Sequence, residues 1–327
     1  MKKVVVTREM FDETIEYLEQ HFLVVPNQSD RTIARDELIK MLHDADGIQS
    51  YSTDRVDDGL LAQCPAIKAV CNTAVGYNNI DVDACTRRGV MVTNTPGVLD
   101  DSVADYAIGL MIATCRRMSE GERYLRAREW KTTYLKQTLG KDVHGATIGI
   151  VGFGRIGQAI AKRARGFDMN ILYYTRNRVA PDVEEQLDAR YVSKEDLLGQ
   201  SDIVMLILPY KPETHHFIGA PELARMKPSA VLINMARGGI VDDAALIEAL
   251  RAGTIWSAGL DVYENEPRLN PGFLELENAV LSPHIASASE STRRAMAMTA
   301  AKNLVAALSG EQPPNLINPD YRNNLKG

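Results

Sequence analysis

Ala146-Thr-Ile-Gly-Ile-Val-Gly152-Phe-Gly154-Arg155-Ile156-Gly157 is an apolar run that meets three glycines and continues directly into Gln158-Ala-Ile-Ala-Lys-Arg-Ala164. The pattern predicts a buried strand that turns sharply into a helix. Gly152 permits the tight bend, Gly154 lets backbone approach a pyrophosphate, and Gly157 lets the helix pack against its strand. The free N–H groups at such a helix start, with the positive end of the helix dipole, suit a dianion. Glycines in this spacing also mark ordinary turns, so the strand before and the helix after are what make it a dinucleotide-binding turn. Arg155 and Ile156 lie within it.

The next strand reads as Asn170-Ile-Leu-Tyr-Tyr174 and ends in Thr175-Arg176-Asn177-Arg178. A carboxylate at this point would bind the adenosine ribose hydroxyls and select NAD; none is present. Two guanidiniums beside the Thr175 hydroxyl suit a 2′-phosphate instead, because arginine offers paired donors to phosphate oxygens. The expected cofactor is therefore NADP(H) in preference to NAD(H), held by Thr175, Arg176 and Arg178. The alternative is a solvated basic loop in which Thr175 only ends the strand.

The chain has 327 residues, more than one average domain, which predicts two domains sharing a cleft. Lys and Arg number 37 against 43 Asp and Glu, a net charge of −6, which argues against a general affinity for nucleic acid or anionic membrane. The apolar part of Met1-Lys-Lys-Val-Val-Val-Thr7 is too short for a signal peptide, and no later apolar run approaches bilayer length. Cys64, Cys71, Cys85 and Cys115 form no C-x-x-C pair and do not cluster with His, so neither disulfides nor zinc is expected. A soluble cytoplasmic protein with reduced cysteines and no metal follows.

The first hundred residues alternate short apolar strands with amphipathic helices: Lys3 to Val6, a helix from about Asp12, Leu23 to Val25, a helix of about Ile33 to Leu42, and Gly47 to Gln49. Ile67 to Cys71 and Val90 to Thr93 continue the series, an α/β pattern with a mostly parallel sheet. After Ile67 to Cys71, the loop Asn72-Thr-Ala-Val75-Gly76-Tyr77 lies at a strand's carboxyl end, where ligands bind in open α/β sheets. Backbone N–H groups around Val75 and Gly76 can hold a small carboxylate without side-chain charge; an ordinary turn is the alternative.

Thr95-Pro96-Gly97 interrupts the pattern, and Asp100-Asp101-Ser102 starts a long apolar-periodic stretch, about Val103 to Trp130, taken as the crossover. Further strands read as Ala189 to Val192, Ile203 to Leu208, Val231 to Asn234, Trp256 to Leu260 and Ala279 to Leu281. Ala286 to Leu308 reads as a long helix returning to the first domain, and the tail from Pro313 as irregular. Arg237, Glu266 and His284 each follow one of the later strands, on the cofactor side of one sheet. Each alone has a bland reading: a solvated turn Arg, an exposed Glu before Pro, a structural His.

Gly152-x-Gly154-x-x-Gly157, Asn234-Met-Ala-Arg237-Gly-Gly-Ile-Val-Asp242, Gly259-Leu-Asp-Val-Tyr-Glu-Asn-Glu266-Pro and Pro283-His284-Ile-Ala-Ser together resemble the D-isomer-specific 2-hydroxyacid dehydrogenases. Within that family the chain is most similar to bacterial glyoxylate/hydroxypyruvate reductases and 2-ketogluconate reductases. The resemblance implies two Rossmann-like domains with an active-site cleft between them. Residues 1–98 plus 288–327 would form the flavodoxin-like substrate domain and 99–287 the dinucleotide-binding domain. It also implies catalytic Arg237, Glu266 and His284, and a homodimer.

Reducing a small 2-keto acid (glyoxylate, hydroxypyruvate or 2-ketogluconate) needs hydride at the carbonyl carbon and a proton at its oxygen. His284 would be the proton donor, backed by Glu266; Arg237 would bind the carboxylate and polarise the carbonyl, and Val75 and Gly76 would hold the carboxylate's other end. Leu208, Pro209, Thr214, Met235, Ala236, Asp261 and Ala286 are the further cofactor contacts the resemblance implies. A dinucleotide-sensing corepressor is the rival from another class, and NAD-dependent phosphoglycerate dehydrogenase the nearer enzymatic one. A formate dehydrogenase would have Gln where Glu266 stands. Substrate size is approached through Trp130 to Gly140, with Tyr134 and Gln137, where no specificity-setting Trp aligns, and through Tyr51 to Arg55, whose Arg55 is read as exposed.

Overall fold

Val4, Val5 and Val6 are fully buried, yet they serve two different cores. Successive residues of a strand point to opposite faces. Val5 meets Ile48, Val70 and Val92 on one side of the sheet; Val4 and Val6 meet Ala69, Cys71 and Met91 on the other. A strand apolar on both faces needs helices on both, which is the demand that a parallel sheet meets. A computed structural model describes residues 1–29, 31–133 and 135–324, and these fall into two compact units, 1–99 with the residues from 289 onward, and 100–288.

The first unit runs β1 (Lys3–Val6), α1 (Asp12–Glu19), β2 (Leu23–Pro26), α2 (Arg35–Leu42), β3 (Gly47–Ser50), α3 (Asp58–Gln63), β4 (Ala69–Asn72), α4 (Val82–Arg87) and β5 (Met91–Thr93). Its sheet has the order β2-β1-β3-β4-β5, every pairing parallel. Leu38, Leu42, Leu60, Leu61 and Ala84 cover one face; Ile15 and Leu18 of α1 cover the other together with Ala297, Ala301 and Leu304. Those last three belong to the long carboxyl-terminal helix, which therefore closes this unit's core although it lies far away in sequence.

The second unit opens with α5 (Asp100–Cys115) and α6 (Met118–Arg126). It continues through β6 (Thr147–Val151), α7 (Arg155–Ala164), β7 (Asn170–Tyr174), α8 (Pro181–Leu187), β8 (Ala189–Tyr191), α9 (Lys194–Gln200) and β9 (Ile203–Leu206). Then come α10 (Ala220–Leu223), β10 (Val231–Asn234), α11 (Asp243–Ala252), β11 (Ser257–Leu260) and β12 (Ala279–Leu281), after which α12 (Glu290–Leu308) returns to the first unit. The seven strands lie in the order β12-β11-β10-β9-β6-β7-β8, again all parallel. Chain order reverses at β6, so the crevice at the carboxyl ends of β6 and β9 is the switch point where ligands of such sheets bind.

Three expectations need correction. The stretch Val103 to Trp130 is not one helix: α5 stops at Cys115, whose carbonyl accepts from the Lys141 N–H at 2.7 Å, and Arg117 turns the chain with φ of +53°. The helix expected from Ala286 begins only at Glu290, capped by Ser289, because the N–H groups of Ile285 and Ala286 are given to the Asp261 carboxylate. The tail expected to be irregular from Pro313 forms a short 3-10 helix at Pro319–Asn324 and is held to β5 just before it: Ile317 N–H donates to Val92 O at 2.8 Å, and the Asn318 amide accepts from Val92 N–H and donates to Val90 O. It covers what would otherwise be an open sheet edge.

All four cysteines are free thiols in buried positions. Among the described residues, no helix is long and apolar enough to cross a membrane.

Candidate active site

The glycine turn follows β6 directly, and its geometry separates the three glycines. Gly152 has φ of +97°, and a Cβ there would lie 2.8 Å from the carbonyl of Ile207; a Cβ on Gly157 would lie 2.3 Å from Gly152 O. These two positions are closed by backbone. A Cβ on Gly154 would meet nothing within 4 Å. Gly154 caps α7 without a side-chain hydrogen bond, and the first turn of α7 carries no acidic residue. The helix start is thus left to an anionic ligand, and these residues fit the pyrophosphate of a dinucleotide. Arg155, next in line, lies with Nε 3.3 Å from Asp100 Oδ2 and is mostly exposed.

Thr175 to Arg178 follow β7, next to β6 in the sheet. Here the structure divides the expected phosphate ligands. Arg178 is engaged in a two-point pair with Glu184, Nε to Oε1 at 2.8 Å and Nη2 to Oε2 at 2.7 Å. The Arg178 guanidinium, with the Tyr173 hydroxyl second, holds the Glu184 carboxyl down to about 2. Arg176 is exposed and has no ion pair among the described residues, and Thr175 is half-buried beside it. The fork of Arg178 is therefore spent on α8, and Arg176 and Thr175 are the groups left at the strand end.

Leu208 and Pro209 follow β9, Met235, Ala236 and Arg237 follow β10, Asp261 and Glu266 follow β11, and His284 and Ala286 follow β12. All lie along the carboxyl edge of one sheet. Thr214 closes its own loop, its hydroxyl donating to Pro209 O at 3.0 Å and accepting from Lys211 N–H at 2.8 Å.

Glu266 and His284 meet: Oε2 lies 2.7 Å from Nδ1. The other carboxylate oxygen of Glu266 accepts from the Tyr263 N–H at 2.9 Å. Burial pushes the Glu266 carboxyl up, but the hydrogen bond and charge of His284, the Tyr263 N–H and the charge of Arg237 outweigh it and leave the group below the ordinary carboxylate value. An ionised carboxylate only accepts, so Nδ1 carries a proton and Nε2 is the atom available to exchange one. His284 itself sits at φ of +54°, a conformation held by its neighbours. Those neighbours are donors to Asp261: Ser282 Oγ at 2.7 Å, Ile285 N–H at 2.9 Å and Ala286 N–H at 3.0 Å. Asp261, expected as a cofactor contact or as a stabiliser of its own turn, is a buried anchor for the histidine loop. Arg237 is half-buried, with Nη1 on the carbonyl of Ala236 at 2.7 Å.

In the first unit, the loop after β4 is shaped by two asparagines that sequence reasoning passed over. Asn94 Nδ2 donates to Val75 O and Asn72 Nδ2 to Gly76 O, both at 2.8 Å. Among the described residues the N–H groups of Val75 and Gly76 have no partner, which leaves two backbone donors for an anion. Both asparagines stand at strand ends, and that position was the available signal. Tyr51 receives a hydrogen bond from Arg293 on its hydroxyl, while Arg55 is exposed and 3.2 Å from Asp57. Tyr134 lies outside the described residues; Gln137 is half-buried.

The chain is 47% identical over 322 residues to the glyoxylate reductase of Thermococcus kodakarensis, covering 97% of this chain and 96% of that one. It is 47% identical over 320 residues to the glyoxylate reductase of Pyrococcus horikoshii, with the same coverage. Among solved structures, the NADPH-dependent glyoxylate/hydroxypyruvate reductase of Sinorhizobium meliloti in complex with NADP and malonate matches with a TM-score of 0.87 at 33% identity, covering 98% of this chain and 97% of that one. Residues 108–286 match the NAD-binding domain of D-isomer-specific 2-hydroxyacid dehydrogenases. With a dinucleotide turn at the switch point and an arginine and a glutamate–histidine pair on neighbouring strand ends, the chain belongs to the D-isomer-specific 2-hydroxyacid dehydrogenase family.

Proposed function

We propose that this protein reduces a small 2-keto acid, glyoxylate first and hydroxypyruvate or 2-ketogluconate next, to the 2-hydroxy acid with NADPH, the D isomer where the product is chiral. The observation that carries the reading is the 2.7 Å pairing of Glu266 with His284 on the strand end next to that of Arg237. When bound, the reduced nicotinamide supplies the hydride. His284 Nε2 gives its proton to the carbonyl oxygen as charge develops there, and Glu266 stabilises the imidazolium and fixes its ring. Arg237 binds the substrate carboxylate and offsets the developing charge. The unpartnered N–H groups of Val75 and Gly76 are carboxylate donors in the same reading, with the first unit as substrate domain. The glyoxylate reductase relatives motivate the order of substrates.

NADPH is preferred over NADH because β7 ends without a carboxylate, with Arg176 and Thr175 able to take a 2′-phosphate. The remaining cofactor contacts proposed are the glycine turn with Arg155 and Ile156, then Leu208, Pro209, Thr214, Met235, Ala236, Asp261 and Ala286. A homodimer is proposed because Met118, Leu125, Trp130, Leu135 and Leu139 are exposed within one short stretch, apolar side chains that a second copy would cover. Four unpaired thiols favour the cytoplasm.

The test is oxidation of NADPH and of NADH by the purified protein with glyoxylate, hydroxypyruvate, 2-ketogluconate and pyruvate. Turnover with at least one of the first three, with a lower KM for NADPH, is expected. Tight NADPH binding without turnover on any of them would favour the dinucleotide-sensing alternative.

A further inference from the structure

The loop that carries Arg237 and the loop that carries Glu266 are joined through a residue belonging to neither. The His216 N–H donates to Gly239 O at 2.7 Å, and Ile218 continues the pairing as a parallel bridge with Val241. The same residue's imidazole places Nε2 2.6 Å from Glu264 Oε1. His216 thus holds the arginine loop by its backbone and the glutamate loop by its side chain. The two loops also touch directly: a Cβ on Gly238 would lie 1.7 Å from Tyr263 O, so only glycine lets them pack backbone on backbone. Two residues beyond Glu264 comes Glu266, tied back to the Tyr263 N–H at 2.9 Å.

The imidazole stands among carboxylates. Its Nδ1 is 3.8 Å from Asp242 Oδ2, and the buried Asp243 accepts the Glu264 N–H at 3.0 Å. On its open side His215 stacks at 3.9 Å and is itself 3.2 Å from the Tyr210 hydroxyl. His216 adopts φ of +49°, a left-handed conformation that is strained in a residue with a Cβ and persists where surrounding bonds require it. Without the imidazole, the Glu264 carboxylate would lose its side-chain partner, and the glutamate loop would be held here only by the Glu264 N–H on Asp243 and the contact at Gly238.

We infer that His216 is a positioning residue, which sets the Glu266 loop against the Arg237 loop through its hydrogen bond to Glu264. The kinetic arm of its test rests on the reductase reading; the exchange arm does not. Wild type, His216→Ala, His216→Gln, Glu264→Ala and the double alanine variant are compared by amide hydrogen exchange over residues 237–241 and 261–267. The same proteins are assayed for kcat and KM with NADPH and glyoxylate. In His216→Ala, exchange over 261–267 is expected to rise about tenfold or more, with the first unit unchanged. Its kcat is expected to fall ~10–100-fold, with KM for NADPH within about twofold. His216→Gln, whose amide can reach Glu264, restores most of both. Glu264→Ala behaves like His216→Ala, and the double variant is no worse than either single one. Wild-type exchange and turnover in His216→Ala overturn the inference, as do equal losses in the Ala and Gln variants. Should His216→Ala not fold, the decision passes to His216→Gln and Glu264→Ala. A wild type that reduces none of glyoxylate, hydroxypyruvate and 2-ketogluconate sinks the reductase reading alone, and exchange still decides the brace.

Discussion

Glu266 and His284 share a hydrogen bond of 2.7 Å between Oε2 and Nδ1, though they follow different strands of the sheet. The carboxylate is held ionised against burial by that contact, by the Tyr263 N–H and by the charge of Arg237. A depressed carboxyl stabilises the fold at all pH values above its unfolded value, and the contribution is lost as pH falls through the folded one. Glu266→Gln removes the partner of the imidazolium. The pH range of keto-acid reduction should move downward. A pH–rate profile superimposable on wild type would separate the pair from the chemistry.

His284→Ala should reduce kcat by ~10²–10⁴-fold while NADPH affinity, followed by fluorescence titration, stays near wild type. A variant with near-normal turnover would remove His284 from proton donation.

Gly154 and Gly157 should respond to alanine in opposite ways. At Gly154 the added methyl meets only open space, so the melting temperature should hold while cofactor affinity drops where the pyrophosphate must approach. At Gly157 the methyl would sit 2.3 Å from Gly152 O, and the loss is first of stability. Thermal melts beside cofactor titrations read both; a destabilised Gly154→Ala with intact binding would contradict the assignment.

Arg176→Ala should weaken NADPH about tenfold and leave NADH nearly untouched. Arg178→Ala should instead loosen α8, because its guanidinium is occupied by Glu184. Since Glu184 is held down to about 2, that pair persists on acidification through the ordinary carboxylate range and fails only near pH 2. Equal loss of NADPH selectivity in both variants would show that Arg178 leaves Glu184 for the cofactor.

Asp243 carries the opposite sign. Burial pushes its carboxyl from 3.8 up to about 6, opposed by the Glu264 N–H and aided by the charges of Glu264 and Asp242. In that window the folded state binds the extra proton, so stability falls as pH rises from about 4 to about 6 and is level beyond. Asp243→Asn keeps the acceptor for Glu264 and should gain about 2 kcal/mol at pH 7.5 but nothing at pH 4. Denaturant melts at the two pH values decide it; an equal effect at both would mean that Asp243 is not the titrating group.

Much of the site was legible because strand ends are local signals. An apolar run stopped by Gly152 marks the end of β6 without any knowledge of its neighbours, and Arg237, Glu266 and His284 were found by the same rule. What escaped was pairing. Two arginines after Tyr174 look equivalent in the chain, yet only Arg178 has Glu184 one helix away. Apolar periodicity ran through Cys115 toward Trp130, because nothing local announces that Lys141 returns to take the Cys115 carbonyl. The sequence left Asp261 open between a cofactor contact and a turn-stabilising role; that Ser282, Ile285 and Ala286 donate to its oxygens is a matter of folding alone.

From its own residues the chain determined two parallel α/β sheets, the glycine turn and the placement of Arg237, Glu266 and His284 just past strand ends, while the roles of those three came from the family resemblance. Sheets, turn and placement follow from φ/ψ restriction, side-chain periodicity and the absence of a carboxylate after Tyr174, all properties of neighbours in sequence. Tertiary structure decided which charged group answers which. Glu266 with His284, Arg178 with Glu184 and His216 with Glu264 are pairs chosen by the closeness of separate loops, because electrostatic and hydrogen-bond energy depends on distances in space that periodicity does not carry.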